Sequence, residues 1–148
     1  MNNQQTPYSN WNKSGAGFTL TETLIIGALF GLFTLAGTFL LSAERARTRD
    51  AKRIADMTRL SAGLALMYGQ AATYADAAAG CPTIGSDATK CTLTEVMTGL
   101  ESVKDPARFA YTISRVPDRD DFGIKFRLER SYGTLKAGDH VLTKAGVR

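Results

Sequence analysis

The chain contains one histidine, His140, and two cysteines, Cys81 and Cys91. That shortage removes much site chemistry at once. A zinc site needs more ligands than two thiols and a distant imidazole supply. His140 has no nucleophile placed with it, so no acid–base set can be built around it, and it reads as a surface residue of an edge strand. There is no P-loop, no glycine-rich phosphate turn and no zinc motif. Dense blocks of Lys and Arg are missing too. The net charge of +4 over 148 residues is a mild excess, which leaves nucleic acid as only a weak partner expectation. The sequence therefore points to neither an enzyme nor a cofactor-binding protein.

Charge itself is absent from one stretch. Thr23 to Ala43 is 21 residues without a charged side chain. At about 1.5 Å per residue this covers the roughly 30 Å hydrocarbon core of a bilayer. The chain thus divides into a polar segment rich in Asn, Gln and Gly over 1–17, an apolar segment over 18–43 and a small soluble domain over 44–148. After residue 43 lie 17 of the 18 basic residues and 13 of the 14 acids. A cleaved secretory signal is the alternative to a transmembrane helix. It fits poorly, because the run is too long, no A-x-A-like site follows it, and Lys13 is the only charge before it.

One acid, Glu22, stands at the edge of this run. At the centre of a membrane helix it would cost about 2.5–3.5 kcal/mol. Near the end the cost falls, and the helix N-terminus favours a negative charge. Glu22 is therefore either a boundary acid at the water interface or a carboxylate that awaits a partner from another chain.

The order Gly17, Phe18, Thr19, Leu20, Thr21, Glu22, set between a short polar leader and some twenty apolar residues, resembles the class III signal of type IV prepilins and the related pseudopilins of type II secretion systems. The resemblance implies that a prepilin peptidase cuts between Gly17 and Phe18 and methylates the new amine of Phe18. It implies a single-pass subunit of the bacterial cell membrane, held in lipid before assembly, with its head outside. It further implies an inner-membrane assembly platform and a homo-oligomeric helical filament, in which Glu22 pairs with the N-terminus of a neighbouring subunit. The chemistry is coherent, since an ammonium group at the positive end of a helix in or near lipid is costly unless paired. The positive-inside rule opposes this orientation, because Arg45, Arg47, Arg49, Lys52 and Arg53 follow the run. The processing signal is given precedence. Gly27 and Gly31 form a GxxxG that would let helices approach closely, or they reflect the ordinary abundance of glycine in membrane helices.

Beyond the membrane segment, Ile54, Met57, Leu60, Leu64 and Met67 recur at spacings of three and four, with Ala51, Ala55 and Tyr68 beside them. This predicts an amphipathic helix over 44–69, with charges filling its other face, continuous with the apolar one. Residues 70–108 are expected to form a loop with a short helix, opened by a Thr92–Glu95 capping box and ended near Gly99. Three strands then alternate: one through Phe109, Tyr111 and Ile113, one through Phe122, Ile124, Phe126 and Leu128, and "HVLTK". The expected fold is α+β, a long N-terminal helix packed on a small antiparallel sheet, as in a pilin head.

Cys81 and Cys91, ten residues apart in a domain placed outside the membrane, suggest a disulfide, with free thiols as the alternative. Asp118, Asp120 and Asp121 read as a solvated turn interrupted by Arg119, with calcium as a weaker reading. The bases from Arg45 to Arg53 read as a solvated face with pairs to neighbouring acids, or as a stripe for DNA or anionic head groups. The functional expectation is a type IV pilus subunit serving adhesion, motility or DNA uptake. A secretion pseudopilin is the alternative, and a lone anchored domain that never polymerises is the alternative of another class.

Overall fold

A computed structural model describes residues 17–93 and 95–148. The expected leader, apart from Gly17, lies outside the described residues. Helix α1, Leu20–Ala71, runs through the division between two units that meet at Phe39 and Leu40.

In the first unit, α1 is exposed throughout up to Ala36. Nothing within the unit covers Leu24, Phe30 or Phe33. The helix is long and apolar enough to cross a membrane. Its threonines do not burden it. Thr34 Oγ1 donates to Phe30 O at 2.7 Å and Thr38 Oγ1 to Leu35 O at 2.8 Å, so each hydroxyl is satisfied by its own helix.

In the second unit, α1 continues to Ala71 and its stripe packs on a four-stranded antiparallel sheet. The strands are β1 (Thr112–Arg115), β2 (Gly123–Leu128), β3 (Gly138–Thr143) and β4 (Gly146–Val147), in the order β1-β2-β3-β4. The register pairs Ile113 with Ile124, Phe126 with His140 and Ile124 with Leu142. Ile124, Phe126 and Leu128 face inward, while Lys125 and Arg127 face out. They share one core with Met57, Leu60, Leu64 and Met67. The helix ends two residues beyond the expected Gly69, at Ala71, because Ala72 turns into the left-handed region with φ 53°.

Several expectations change here. The meander has four strands, not three. Phe109 and Tyr111 precede β1, and Phe109 stays 39% exposed instead of facing the core. The short helix over 92–99 does not form. Val96 and Met97 donate back to Leu93 O in a single turn, and Gly99, at φ 77°, opens a 3-10 turn at Leu100–Ser102 rather than closing a helix. No side-chain bond of a Thr92–Glu95 box occurs among the described residues. The segment before it is less irregular than a loop, with 3-10 turns at Ala75–Gly80 and Ala88–Lys90.

Cys81 and Cys91 are joined, with Cα atoms 4.7 Å apart. On a chain-entropy account, closing so short a loop contributes roughly 3 kcal/mol. The closure needs Gly80. A Cβ there would sit 1.8 Å from Lys90 O, so only a residue without a side chain lets the two backbones meet. The closed loop covers the free side of β1. Ala88 N donates to Tyr111 O at 2.8 Å, and Ile113 N to Ser86 O at 2.8 Å. An open strand edge is thereby paired.

Candidate functional site

Two sets of polar groups stand out, one in each unit. In the first, Gly17, Phe18 and Thr19 precede the helix and are exposed. Glu22 N donates to Thr19 Oγ1 at 3.2 Å, and Thr19 N reaches back to Glu22 Oε2 at 3.4 Å. This is a reciprocal capping box, with Thr19 as cap and Glu22 three residues on. It holds the carboxylate against the free N–H groups at the start of α1, one residue from the Phe18 nitrogen. The signal T-x-x-E was present in the sequence as Thr19 to Glu22 and defines where the helix begins. Gly27 and Gly31 lie on the exposed surface, where an added Cβ would meet nothing within 4 Å. Ile26, Leu29, Phe30 and Phe33 form an open apolar face there.

In the second unit, charges enter the core. Arg53 is fully buried. Its Nε donates to Asp105 Oδ2 at 2.6 Å and its Nη2 to Asp105 Oδ1 at 3.2 Å. Its Nη1 donates to Asp50 Oδ1 and to Glu129 Oε1, each at 2.7 Å. The guanidinium also lies 5.2 Å from the Phe109 ring centroid, and that of Arg127 lies 5.6 Å from the same ring. Both guanidinium groups thus lie within cation–π reach of the Phe109 ring. Asp50 then accepts from Glu129 N at 3.0 Å and Arg130 N at 2.8 Å, tying α1 to the chain leaving β2. Arg49 Nε donates to Glu129 Oε1 at 2.8 Å. Lys52 Nζ reaches Asp56 Oδ2 at 2.6 Å and Lys104 O at 2.8 Å, and Tyr111 donates its hydroxyl proton to Asp56 at 2.8 Å.

Three cations thus meet four carboxylates. Among the described residues, no buried side-chain nitrogen or oxygen lacks a partner. The electrostatics follow. The Arg49 bond is the main cause holding the Glu129 carboxyl down to about 2, with burial opposing and Arg53 assisting. Burial pulls the Arg53 guanidinium down, but its bonds to Asp105, Glu129 and Asp50 outweigh that and hold it above its ordinary range. Burial, and then the bond to Asp56, push the Tyr111 phenol up. The set is closed on itself, each charge meeting its partner within the chain. It cross-links the helix to two distant segments.

The reading of the helical charges as a solvated face with pairs to neighbouring acids is thus corrected in part: Arg45 and Arg47 are solvated and Arg53 pairs with Asp50, but Asp50, Arg53 and Asp56 are buried. Asp50 and Arg53 lie on the buried stripe itself. Ala46, Asp50, Arg53, Met57, Leu60, Leu64 and Met67 are all buried, at unbroken spacings of three and four. The sequence signal was therefore available, since the stripe continues into charged residues in register.

The remaining candidates are local. Asp118 accepts from Asp120 N and Asp121 N, each at 2.8 Å, and from Arg115 Nη2 at 2.9 Å. Those backbone bonds first, and Arg115 second, hold the Asp118 carboxyl below its usual range. Arg115 Nη1 also donates to Asp121 at 2.7 Å. A cation thus already occupies the acidic turn, and no three-ligand metal cluster occurs among the described residues. His140 lies within β3, half-buried beside Phe126, with Nε2 2.8 Å from Lys136 O. β3 is an inner strand, but β4 pairs it only at Leu142 and Thr143, so His140 lies on the part of β3 that β2 alone pairs. Comparison of the chain with family models, curated proteins and solved structures finds no match.

Proposed function

We propose that the chain is a type IV pilin-like subunit, cut between Gly17 and Phe18 and polymerised through residues 18–43 into a helical filament. One observation carries the reading. Glu22 stands in the first turn of α1, whose apolar stretch is exposed throughout up to Ala36, with its carboxylate on Thr19 N–H, beside the nitrogen that cleavage would convert to an ammonium. Among the described residues this carboxylate has only a local cap at 3.4 Å. An ammonium from a neighbouring subunit is a stronger partner in lipid than a backbone N–H. Apolar helix surfaces pack without fixed register, so one ion pair per subunit would set the axial step. The second unit supports the same reading, as an α+β head whose helix stripe is covered by an antiparallel sheet. A pseudopilus of a type II secretion system would use the same parts and is the second reading.

The test is the N-terminus and the fate of Glu22→Ala. Mass spectrometry of protein sheared from cells is expected to show a chain starting at methylated Phe18. Glu22→Ala is expected to abolish filaments seen by electron microscopy while the head unfolds at an unchanged urea midpoint. Filaments of undiminished number in that variant, or protein found only in membranes and starting at Met1, would defeat the proposal.

A further inference from the structure

The five bases that follow the apolar run meet two different fates. Arg49, Lys52 and Arg53 are taken up by Glu129, Asp56 and the carboxylates around Arg53. Arg45 is exposed and has no carboxylate partner among the described residues. Arg47 meets only Glu44, at 3.6 Å, with both side chains about 70% exposed, a contact of little worth. Arg130 joins them from the chain after β2. Asp50 holds its backbone N–H, and its side chain is left exposed. Ala43, Glu44, Arg47, Arg130 and Ser131 line a shallow groove of about 320 Å³. Ala43 is also the last residue of the uncharged run. The groove therefore opens at the level where a spanning helix would leave the hydrocarbon.

We propose that Arg47 and Arg130, with Arg45 at about 160° round the helix from Arg47, bind the phosphates of anionic lipid head groups at the surface from which the head emerges. Guanidinium forks match phosphate oxygens in geometry and charge. Bases beside an anionic bilayer are attracted over about a Debye length, and here they are held at its surface by the chain's own span. Nucleic acid is the weaker fit, because two cations on opposite sides of a helix and a third after β2 do not follow a phosphate backbone. The inference rests on the apolar run crossing a bilayer and is independent of polymerisation. It also gives the bases after the span a role compatible with a head outside the cell.

Full-length protein in mild detergent would be titrated with phosphatidylglycerol, phosphatidylcholine, inorganic phosphate and a short DNA duplex, with adducts counted by native mass spectrometry. Phosphatidylglycerol is expected to bind about tenfold more tightly than phosphatidylcholine. The double variant Arg47→Gln, Arg130→Gln is expected to lose about tenfold in that binding, at an unchanged unfolding midpoint. Arg119→Gln, which removes one positive charge at the exposed acidic turn, is expected to stay within about twofold of the parent. Equal binding of the two lipids, an equal loss in Arg119→Gln, or tighter binding of phosphate or DNA than of phosphatidylglycerol would each overturn the proposal. Failure of the span reads differently: such a protein would stay monodisperse without detergent and wash from membranes in carbonate. A protein that needs detergent yet shows no anionic preference keeps its span and lacks the lipid site.

Discussion

The two stretches of α1 handle burial and charge in opposite ways. Up to Ala36 the helix presents apolar side chains that nothing in its own unit covers, and its one acid is met by a local cap. From Leu40 onward the same helix buries Asp50, Arg53 and Asp56 and pairs each of them within the chain. The second stretch is complete in one molecule. The first is incomplete, and its apolar surface requires lipid or other chains. The contrast separates a stretch whose charges and apolar groups are met within one chain from one whose apolar surface is left open, and it can be tested from both sides.

The largest effect is expected at the centre of the paired set. Arg53→Met would leave Asp50 and Asp105 buried without their cation, and breaking such a pair costs about 3–5 kcal/mol. Urea unfolding of the full chain in detergent, followed by circular dichroism, should show that loss. A cost below about 1 kcal/mol would mean that the carboxylates find water or other donors instead.

Acid should act on the same set next. The Glu129 carboxyl falls from its ordinary 4.5 to about 2 in the folded chain. A depressed carboxylate stabilises fully above its unfolded value and loses that contribution as pH falls through the folded one. The loss therefore belongs between about pH 4.5 and pH 2 and is on the order of 3 kcal/mol. The Asp118 and Asp139 carboxyls are also held low, but both are solvated and add little. Unfolding midpoints at successive pH values would show the slope, and Glu129→Gln should flatten it. An unaltered slope in that variant would place the acid sensitivity elsewhere.

The smallest effect concerns the end of the helix. Ala72 occupies a left-handed conformation that glycine adopts without strain. Ala72→Gly should therefore stabilise the head by about 1 kcal/mol, seen as a higher urea midpoint. A lower midpoint would show that unfolded-state entropy outweighs the relieved strain.

Much of this architecture could be read locally. Spacings of three and four through Met57, Leu60, Leu64 and Met67 name the helix face, and alternation through Phe122 to Leu128 names β2. A run of 21 residues without charge names the span. Two readings failed for physical reasons. The helical charges read as a solvent face because a local period says nothing of distant partners, yet Asp105 and Glu129, which pair with Arg53, lie 52 and 76 residues from it. Phe109 fits the alternation, yet it stands before β1, 39% exposed, with the guanidinium groups of Arg53 and Arg127 over its ring. In both cases a contact with a distant segment outweighed a local pattern.

The sequence by itself determined where the apolar helix runs, where its charge stops and which strands alternate, because periodicity is a property of neighbouring residues. It also specified the Thr19–Glu22 cap, whose two members lie within one turn. Only the tertiary structure decided which charges are buried and which are left over. A salt bridge has no sequence period, and its cost or benefit depends on whether its partner arrives from a distant segment. Arg53 became a core residue because Asp105 and Glu129 come to it. Arg45, Arg47 and Arg130 stayed at the surface because no carboxylate of the fold claims them as firmly.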